Sequence, residues 1–373
     1  MIKNNNKIFV TEPTLPPLTD YVKFLEKIWK NKWITNKGEF HKKFEKKICN
    51  FLRGNNCSLC ANGTLALIIA LKSLDIKGEV ITTPFSFVAT ANAIHWAGGT
   101  PVFCDIENNT LNINPEKIES MITKKTTAIL PVHVYGNPCD VKRIKEIAEK
   151  HDLKLIYDSA HAFKTMLNNE SILQYGDISV MSFHATKVFN TIEGGAIFTK
   201  DKKLKNKIDF LCNFGFSDKE TIIGPGINAK MNEIQAAYGL ICLKIINEEI
   251  EKRKKIADFY RGKIKDINGI KIMNKIKGVT HSNPYFPILI NKEKFGISRD
   301  ELYESFKKKN IYTRKYFYPL ISHFKPYRCL SSASSKNLKV AEKIANAVLC
   351  LPIYGNLSFD ELNKIVDIIM ENR

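Results

Sequence analysis

From Cys57 onward, short continuous apolar runs alternate with longer amphipathic stretches. The runs Cys57–Cys60, Glu79–Thr82, Pro101–Asp105, Thr127–Val132, Leu153–Asp158, Ile178–Phe183 and Gly195–Thr199 are short and lack polar alternation. That pattern predicts strands buried on both faces. Thr64–Leu74, Phe87–Ala97, Pro115–Ile122 and Val141–His151 have helical spacing and fall between them. Strand and helix in repeated alternation predict an α/β doubly wound architecture with a mostly parallel sheet. Ahead of this rhythm, residues 1–50 hold a proline-rich arm and two helical stretches, separated by the turn-like segment Thr35–Gly38. From about residue 233 the pattern changes. Glu233–Phe259 is one helical stretch without proline, followed by the strand-like Tyr285–Ile290 and the helices Arg299–Lys308 and Ser358–Met370. The division expected is an arm and large domain over 1–245 and a small C-terminal α+β domain over 246–373. A chain of 373 residues is too long for one ordinary core.

Composition narrows this picture only a little. No apolar stretch approaches the roughly 20 residues that span a bilayer, and the purest run is Leu65–Leu71. Met1–Pro17 lacks a signal peptide's apolar middle, so a cytoplasmic, membrane-free chain is expected. The nine cysteines are scattered and read as free thiols. Cys57 and Cys60 form the one close pair. Zinc would need a second pair or histidines at ligand spacing, so two small residues in a buried strand is the better reading, and no metal is expected. The formal net charge of +19 invites a nucleic-acid reading, but the lysines are spread along the chain among Asp and Glu rather than gathered in a block. A basic surface that draws in anionic substrates such as nucleotide diphosphates is the milder inference, and no nucleic-acid partner is expected.

Ligands of open α/β sheets sit beyond the carboxyl ends of the strands. After the first strand comes Asn62-Gly63-Thr64, a glycine and a hydroxyl at a helix start, suited to a phosphate, although by itself an ordinary helix cap is the better reading. Asp158 ends a buried strand, where a carboxylate needs a partner. It reads either as a cap for the next turn or as the counter-ion of a cationic heterocycle such as the pyridine ring of pyridoxal phosphate (PLP). His161, three residues on, could hold Asp158 or a ring oxygen of that cofactor. Lys187 lies on a loop leaving another buried strand, either as a surface residue or as an amine held in a pocket. Glu193-Gly194-Gly195-Ala196 follows, and its glycines allow close backbone approach. Each element is ambiguous alone; the ordered set is hard to explain as packing.

At these residues the chain resembles the DegT/DnrJ/EryC1/StrS family of PLP-dependent nucleotide-sugar aminotransferases. The matching segments are Trp33–Gly38, Asn62–Thr64, Thr83–Ala91, Pro131–Gly136, Tyr157–His161, Ser182–Lys187, Glu193–Ala196, Gly226–Met231 and Glu233–Ala237. The resemblance implies the fold-type-I PLP architecture and a homodimer with shared active sites. It implies that Lys187 is the Schiff-base lysine, that Asp158 pairs with the pyridinium and that His161 sits beside the ring oxygen. Phe87 would stack on the ring; Gly63, Thr64 and Ser182 would hold the phosphate, with Asn228 reaching it from the neighbouring subunit. Arg314, Tyr318 and His323 fall where the family has a sugar-proximal segment, although they read equally as surface or core residues. The implied reaction moves an amino group from L-glutamate to a dTDP- or UDP-linked keto sugar.

The Phe183–Lys187 run with Glu193–Ala196 looks like members acting on 4-keto-6-deoxy sugars, such as those that make dTDP-4-amino-4,6-dideoxyglucose, for O-antigen (lipopolysaccharide) and other surface glycans. The alternative within the family is amination at C3 of a 3-keto-6-deoxy sugar. Three rivals are weaker. A dehydrogenase needs a glycine fingerprint after the first strand, and Gly224-Pro-Gly226 comes too late. A lyase or dehydratase on the same fold, and a non-catalytic regulatory relative, are disfavoured by retention of Lys187, Asp158 and the phosphate set.

Overall fold

The computed structural model describes residues 7–373; the first six residues of the N-terminal arm lie outside the described residues. After the helices α1 (Leu18–Asn31) and α2 (Glu39–Phe51), the chain builds a seven-stranded sheet. Its strands are β1 (Asn56–Cys60), β2 (Gly78–Thr82), β3 (Gly99–Phe103), β4 (Thr126–Leu130), β5 (Lys154–Asp158), β6 (Ile178–Ser182) and β7 (Gly195–Thr199). The spatial order is β1-β7-β6-β5-β4-β2-β3. The five strands β2 to β6 run parallel, while β7 runs antiparallel to both of its neighbours. No helix lies between β6 and β7, and without a crossover the chain can only return in the opposite sense.

Helices α3 (Gly63–Ser73), α4 (Ala89–Trp96) and α6 (Lys202–Leu211) share one apolar cluster with strand residues Val80, Ala128, Ile156 and Ile197. Helices α1, α2 and α5 (Val141–Lys150) share another with Ile81, Ile129, Leu155 and Met181. Neighbouring strand residues such as Val80 and Ile81 feed opposite faces, which is why the strands read as uninterrupted apolar runs. α3 is apolar nearly all round because it is sandwiched between the sheet, α4 and α6.

The long helix α7 (Glu233–Ile264) begins with a capping box at Asn232 and Gln235. Its first half, through Ile246, is buried in the cluster of α1 and α2; Ile256, Ala257, Tyr260 and Ile264 are buried in a different cluster. That second cluster holds the three-stranded antiparallel sheet of β8 (Ile270–Ile272), β9 (Phe286–Ile290) and β10 (Val348–Leu351), in the order β8-β9-β10. Helices α8 (Arg299–Lys308) and α10 (Phe359–Glu371) pack there, and α9 (Lys339–Ala347) lies against β9. The arm departs from the grouping expected of it. Ile8–Phe9 pairs in parallel with Ile311–Tyr312, and Ile8 is buried in this C-terminal cluster. Among the described residues no helix is long and apolar enough to cross a membrane.

Candidate active site

Four strand ends meet at one rim of the large sheet. β5 ends at Asp158 and its parallel neighbour β6 at Ser182, while β7 starts at Gly195, opposite both Ser182 and Cys60. The chain leaves β1 and enters α3 through Asn62, whose side chain accepts from the Leu65 amide at 2.8 Å. Gly63 and Thr64 therefore open a helix whose first N–H groups lack intrahelical partners and whose dipole favours an anion. Both glycines at this rim are required by contact. A Cβ on Gly63 would lie 2.8 Å from the Ser182 Cβ, and one on Gly195 would lie 2.6 Å from the Asn62 carbonyl oxygen.

These ends wall a cavity of about 810 Å³, lined by Gly63, Thr64, Phe87, Asp158, His161, Ser182, Lys187 and Arg314 among others. Asp158 is buried and accepts from Thr90 Oγ1 at 2.9 Å and from the Ala160 amide at 3.1 Å. The turn-capping role and the free carboxylate thus coexist, because two hydrogen bonds leave lone pairs for a further donor. Thr90, having donated to Asp158, can accept from Ser86 at 3.0 Å. Burial pushes the Asp158 pKa up; the Ala160 amide, Thr90 and the charge of Lys187 oppose it.

His161 is buried, and its Nδ1 has no hydrogen-bond partner. Burial, and secondarily the charge of Lys187, hold its pKa well below the ordinary value, so the ring is neutral. It does not hold Asp158; Thr90 and Ala160 do. The His161 ring lines the cavity, and a buried ring nitrogen without a partner costs free energy. Together with the phosphate-suited helix start and the spare lone pairs of Asp158, it fits the polar edge of a PLP ring.

Lys187 is half-buried, with Nζ 3.5 Å from the Tyr285 hydroxyl. Burial pushes its pKa down, while Asp158 and Tyr316 act to raise it. An amine lowered in this way carries more of the free base that attacks carbonyls. Phe87 is 58% exposed at the cavity and stands free to meet a flat ring.

Two of the three sugar-proximal residues are not brought to this cavity. The Tyr318 ring lies under the Arg299 guanidinium at 4.6 Å, and His323 is paired with Glu342 at 2.7 Å. Asn228 also lies off this chain's own cavity, where its side chain accepts from Lys230 at 2.8 Å. Cys57 and Cys60 are both buried in β1, and Cys60 faces Cys212 with sulfurs 3.7 Å apart. The hydrogen bond to Cys212 and then burial push the Cys60 thiol well up, and burial does the same for Cys57. No group of three potential metal ligands occurs among the described residues.

Sequence reasoning missed several cavity residues. Thr90 stands inside the quoted Thr83–Ala91 run, so its proximity to Asp158 had a local signal. Tyr316 and Phe317 stand inside the sugar-proximal segment between Arg314 and Tyr318 but were not singled out, and Tyr285, from far along the chain, carried no signal. Phe317 lines the cavity and stacks on His161 at 5.7 Å with an interplanar angle of 7°. A smaller cavity of about 330 Å³, lined by Lys254, Asp258 and Arg261, shares Tyr285 as a wall and holds none of the expected site residues.

Comparison with known proteins is in accord with this geometry. The chain matches the DegT/DnrJ/EryC1/StrS aminotransferase family over residues 19–370. It is 50% identical over 370 residues to a dTDP-4-amino-4,6-dideoxy-D-glucose transaminase of Escherichia coli, covering 98% of this chain and 99% of that one. Among solved structures, DesI in the presence of its TDP-sugar product superposes with a TM-score of 0.93 at 31% identity, covering 98% of this chain and 92% of DesI. NtdA of Bacillus subtilis with bound cofactor PMP superposes with a TM-score of 0.86 at 28% identity, covering 99% and 86%.

Proposed function

The chain belongs to the DegT/DnrJ/EryC1/StrS aminotransferase family, and we propose that it is a PLP-dependent enzyme that moves an amino group from L-glutamate to dTDP-4-keto-6-deoxyglucose. The observation that carries this reading is the pairing, in one cavity, of a part-buried lysine amine with a buried carboxylate at a strand end. The 50% identity to a transaminase whose name specifies the 4-amino-4,6-dideoxy sugar supports the choice of substrate.

PLP, when bound, supplies an aldehyde that condenses with amines and a cationic ring that withdraws electrons from the substrate carbon. Asp158 would take the ring N–H on its spare lone pairs and keep that ring cationic. Thr90 and the Ala160 amide fix the carboxylate for this task. His161, which lines the cavity, would sit beside the ring oxygen. Gly63, Thr64 and Ser182 would hold the phosphate, and Phe87 would cover one ring face. Lys187 Nζ is the group that takes up and returns the proton, since an amine already in the cavity is an effective general base. Arg314, exposed at the cavity, is a cation for the anionic part of either substrate.

The same proposal includes a homodimer in which Asn228 reaches the partner's phosphate site. Exposed Phe214, Ile222, Ile223 and Ile227 lie near Asn228 in the chain, an apolar group that a partner would cover. We place residues 246–373 in a small domain, with α7 crossing between the two parts. We also place the enzyme in a reducing cytoplasm, in keeping with its free thiols, and its product in surface-glycan precursor synthesis.

The experiment is a glutamate-driven assay with a panel of dTDP- and UDP-linked 3- and 4-keto-6-deoxy sugars. Wild-type protein is expected to be yellow and to aminate the dTDP-linked 4-keto sugar. Lys187→Ala is expected to bind PLP and transfer nothing. A colourless protein that takes up no PLP, or full transfer by Lys187→Ala, overturns the reading.

A further inference from the structure

Tyr285 reaches the cavity from the residue before β9, on the far side of α7 from Lys187 in the chain. Its ring is boxed on three sides. It meets His161 edge-on at 5.0 Å and 73°, Tyr316 at 5.5 Å and 83°, and Tyr135 at 5.7 Å and 59°. With the ring so confined, the direction of its hydroxyl is fixed, and that hydroxyl lies 3.5 Å from Lys187 Nζ. Among the described residues, no other group lies within hydrogen-bonding distance of that amine. The contact is long, as such contacts commonly are before substrate binds, and tightens when the site is loaded.

We infer that Tyr285 is a positioning residue that holds the ε-amine of Lys187 in the cavity whenever that amine is not bonded to the cofactor. This rests on the catalytic reading of Lys187 given above. A lysine that carries protons alternates between ammonium and free amine. A hydroxyl can accept from the first and donate to the second, whereas a carboxylate can only accept. The phenol must stay neutral for this, and its burial pushes its pKa up. The groups facing the pair are Asp158, His161 and Tyr316 around the amine, and Cys350 and Arg253 near the phenol. Asp158 accepts from Thr90 and Ala160 and makes no hydrogen bond to Lys187.

Tyr285→Phe removes one oxygen and keeps all three ring contacts, so the variant folds; thermal melting checks this. Holoenzyme content and colour are expected to match wild type. The kcat is expected to fall about tenfold. In cofactor-free protein, the pH dependence of Lys187 reductive methylation is expected to shift down by about one unit, because both forms of the amine lose their partner and the charge-assisted bond of the ammonium is the stronger of the two. Tyr135→Phe, whose hydroxyl donates to the Tyr316 carbonyl instead, is expected to leave the amine's titration in place. The inference stands if both kcat and the amine's titration move in Tyr285→Phe, and it is overturned if either stays at the wild-type value. Failure of the underlying reading is separate: it is registered by Lys187→Ala retaining transfer, whatever Tyr285→Phe does.

Discussion

Gly195→Ala tests the phosphate cradle with a single methyl group. Gly195 opens β7 opposite Cys60, and its added Cβ would lie 2.6 Å from the Asn62 oxygen, 2.7 Å from the Asn62 carbonyl carbon and 2.9 Å from the Gly63 nitrogen. All three atoms belong to one peptide, the peptide that starts α3 at the cavity. Backbone cannot swing aside as a flexible side chain does, so the strand and the peptide must part. Overpacking of this kind costs about 1–3 kcal/mol. If the cost falls on the cradle, the Kd for PLP rises roughly 5- to 150-fold at 1.4 kcal/mol per decade. Titration of cofactor-free protein with PLP reads that share, and the melting temperature of the same sample reads the share borne by the fold. The matched control is Gly262→Ala in α7, where an added Cβ meets nothing within 4 Å. That substitution should stabilise the helix by about 0.5–1 kcal/mol and leave PLP affinity alone. Gly195→Ala with wild-type affinity and wild-type melting would refute the cradle argument.

Other consequences can be checked as readily. Thr90→Val is nearly isosteric and deletes the 2.9 Å bond to Asp158; losing a hydrogen bond to a charged group costs about 1.5–3 kcal/mol, so PLP should bind at least about tenfold more weakly, and unchanged affinity would remove Thr90 from the site. Burial lowers the pKa of His41 to about 4, of His133 to about 3 and of His281 to about 4, from an ordinary value of 6.5. Between pH 6.5 and about 4 the unfolded chain therefore binds more protons than the folded one, and stability falls as pH falls, by up to about 4 kcal/mol per unit for the three together. Denaturant midpoints of cofactor-free protein from pH 8 to pH 5 should be level above 6.5 and decline below it; a level profile throughout would show these histidines charged in the fold.

The large sheet was legible because its strands are buried on both faces. Gly195–Thr199 and Arg299–Lys308 match the expected spans, and the other large-sheet strands differ from theirs by a residue or two at either end. Direction was not legible: β7 is as apolar as its parallel neighbours, and only the missing crossover helix reverses it. The lysine-rich helix Lys202–Leu211 escaped notice, since just Ile208 and Leu211 are buried and no apolar stripe announces it. At the site, Lys187, Asp158, His161 and the Gly63–Thr64 turn stood at strand ends, where a sheet gathers its chemistry. Tyr318 and His323 do not line this chain's own cavity, because proximity in sequence to Arg314 does not fix facing in an irregular segment; each has a nearer partner in Arg299 or Glu342. Tyr285 had no signal, since an aromatic entering an apolar strand reads as core until the cavity beside it is known.

The position of β1 bears on how the protein is made. It is the first strand of the large sheet to leave the ribosome, yet in that sheet it pairs only with β7, the last. Until residue 199 emerges, β1 has no strand partner in the sheet, and the turn at Gly63 lacks Gly195, one of its neighbours. A chain ending before that point lacks the strand that joins β1, and with it the Gly63–Thr64 turn, to the rest of the sheet, so the phosphate-suited turn takes its final place only when the sheet closes.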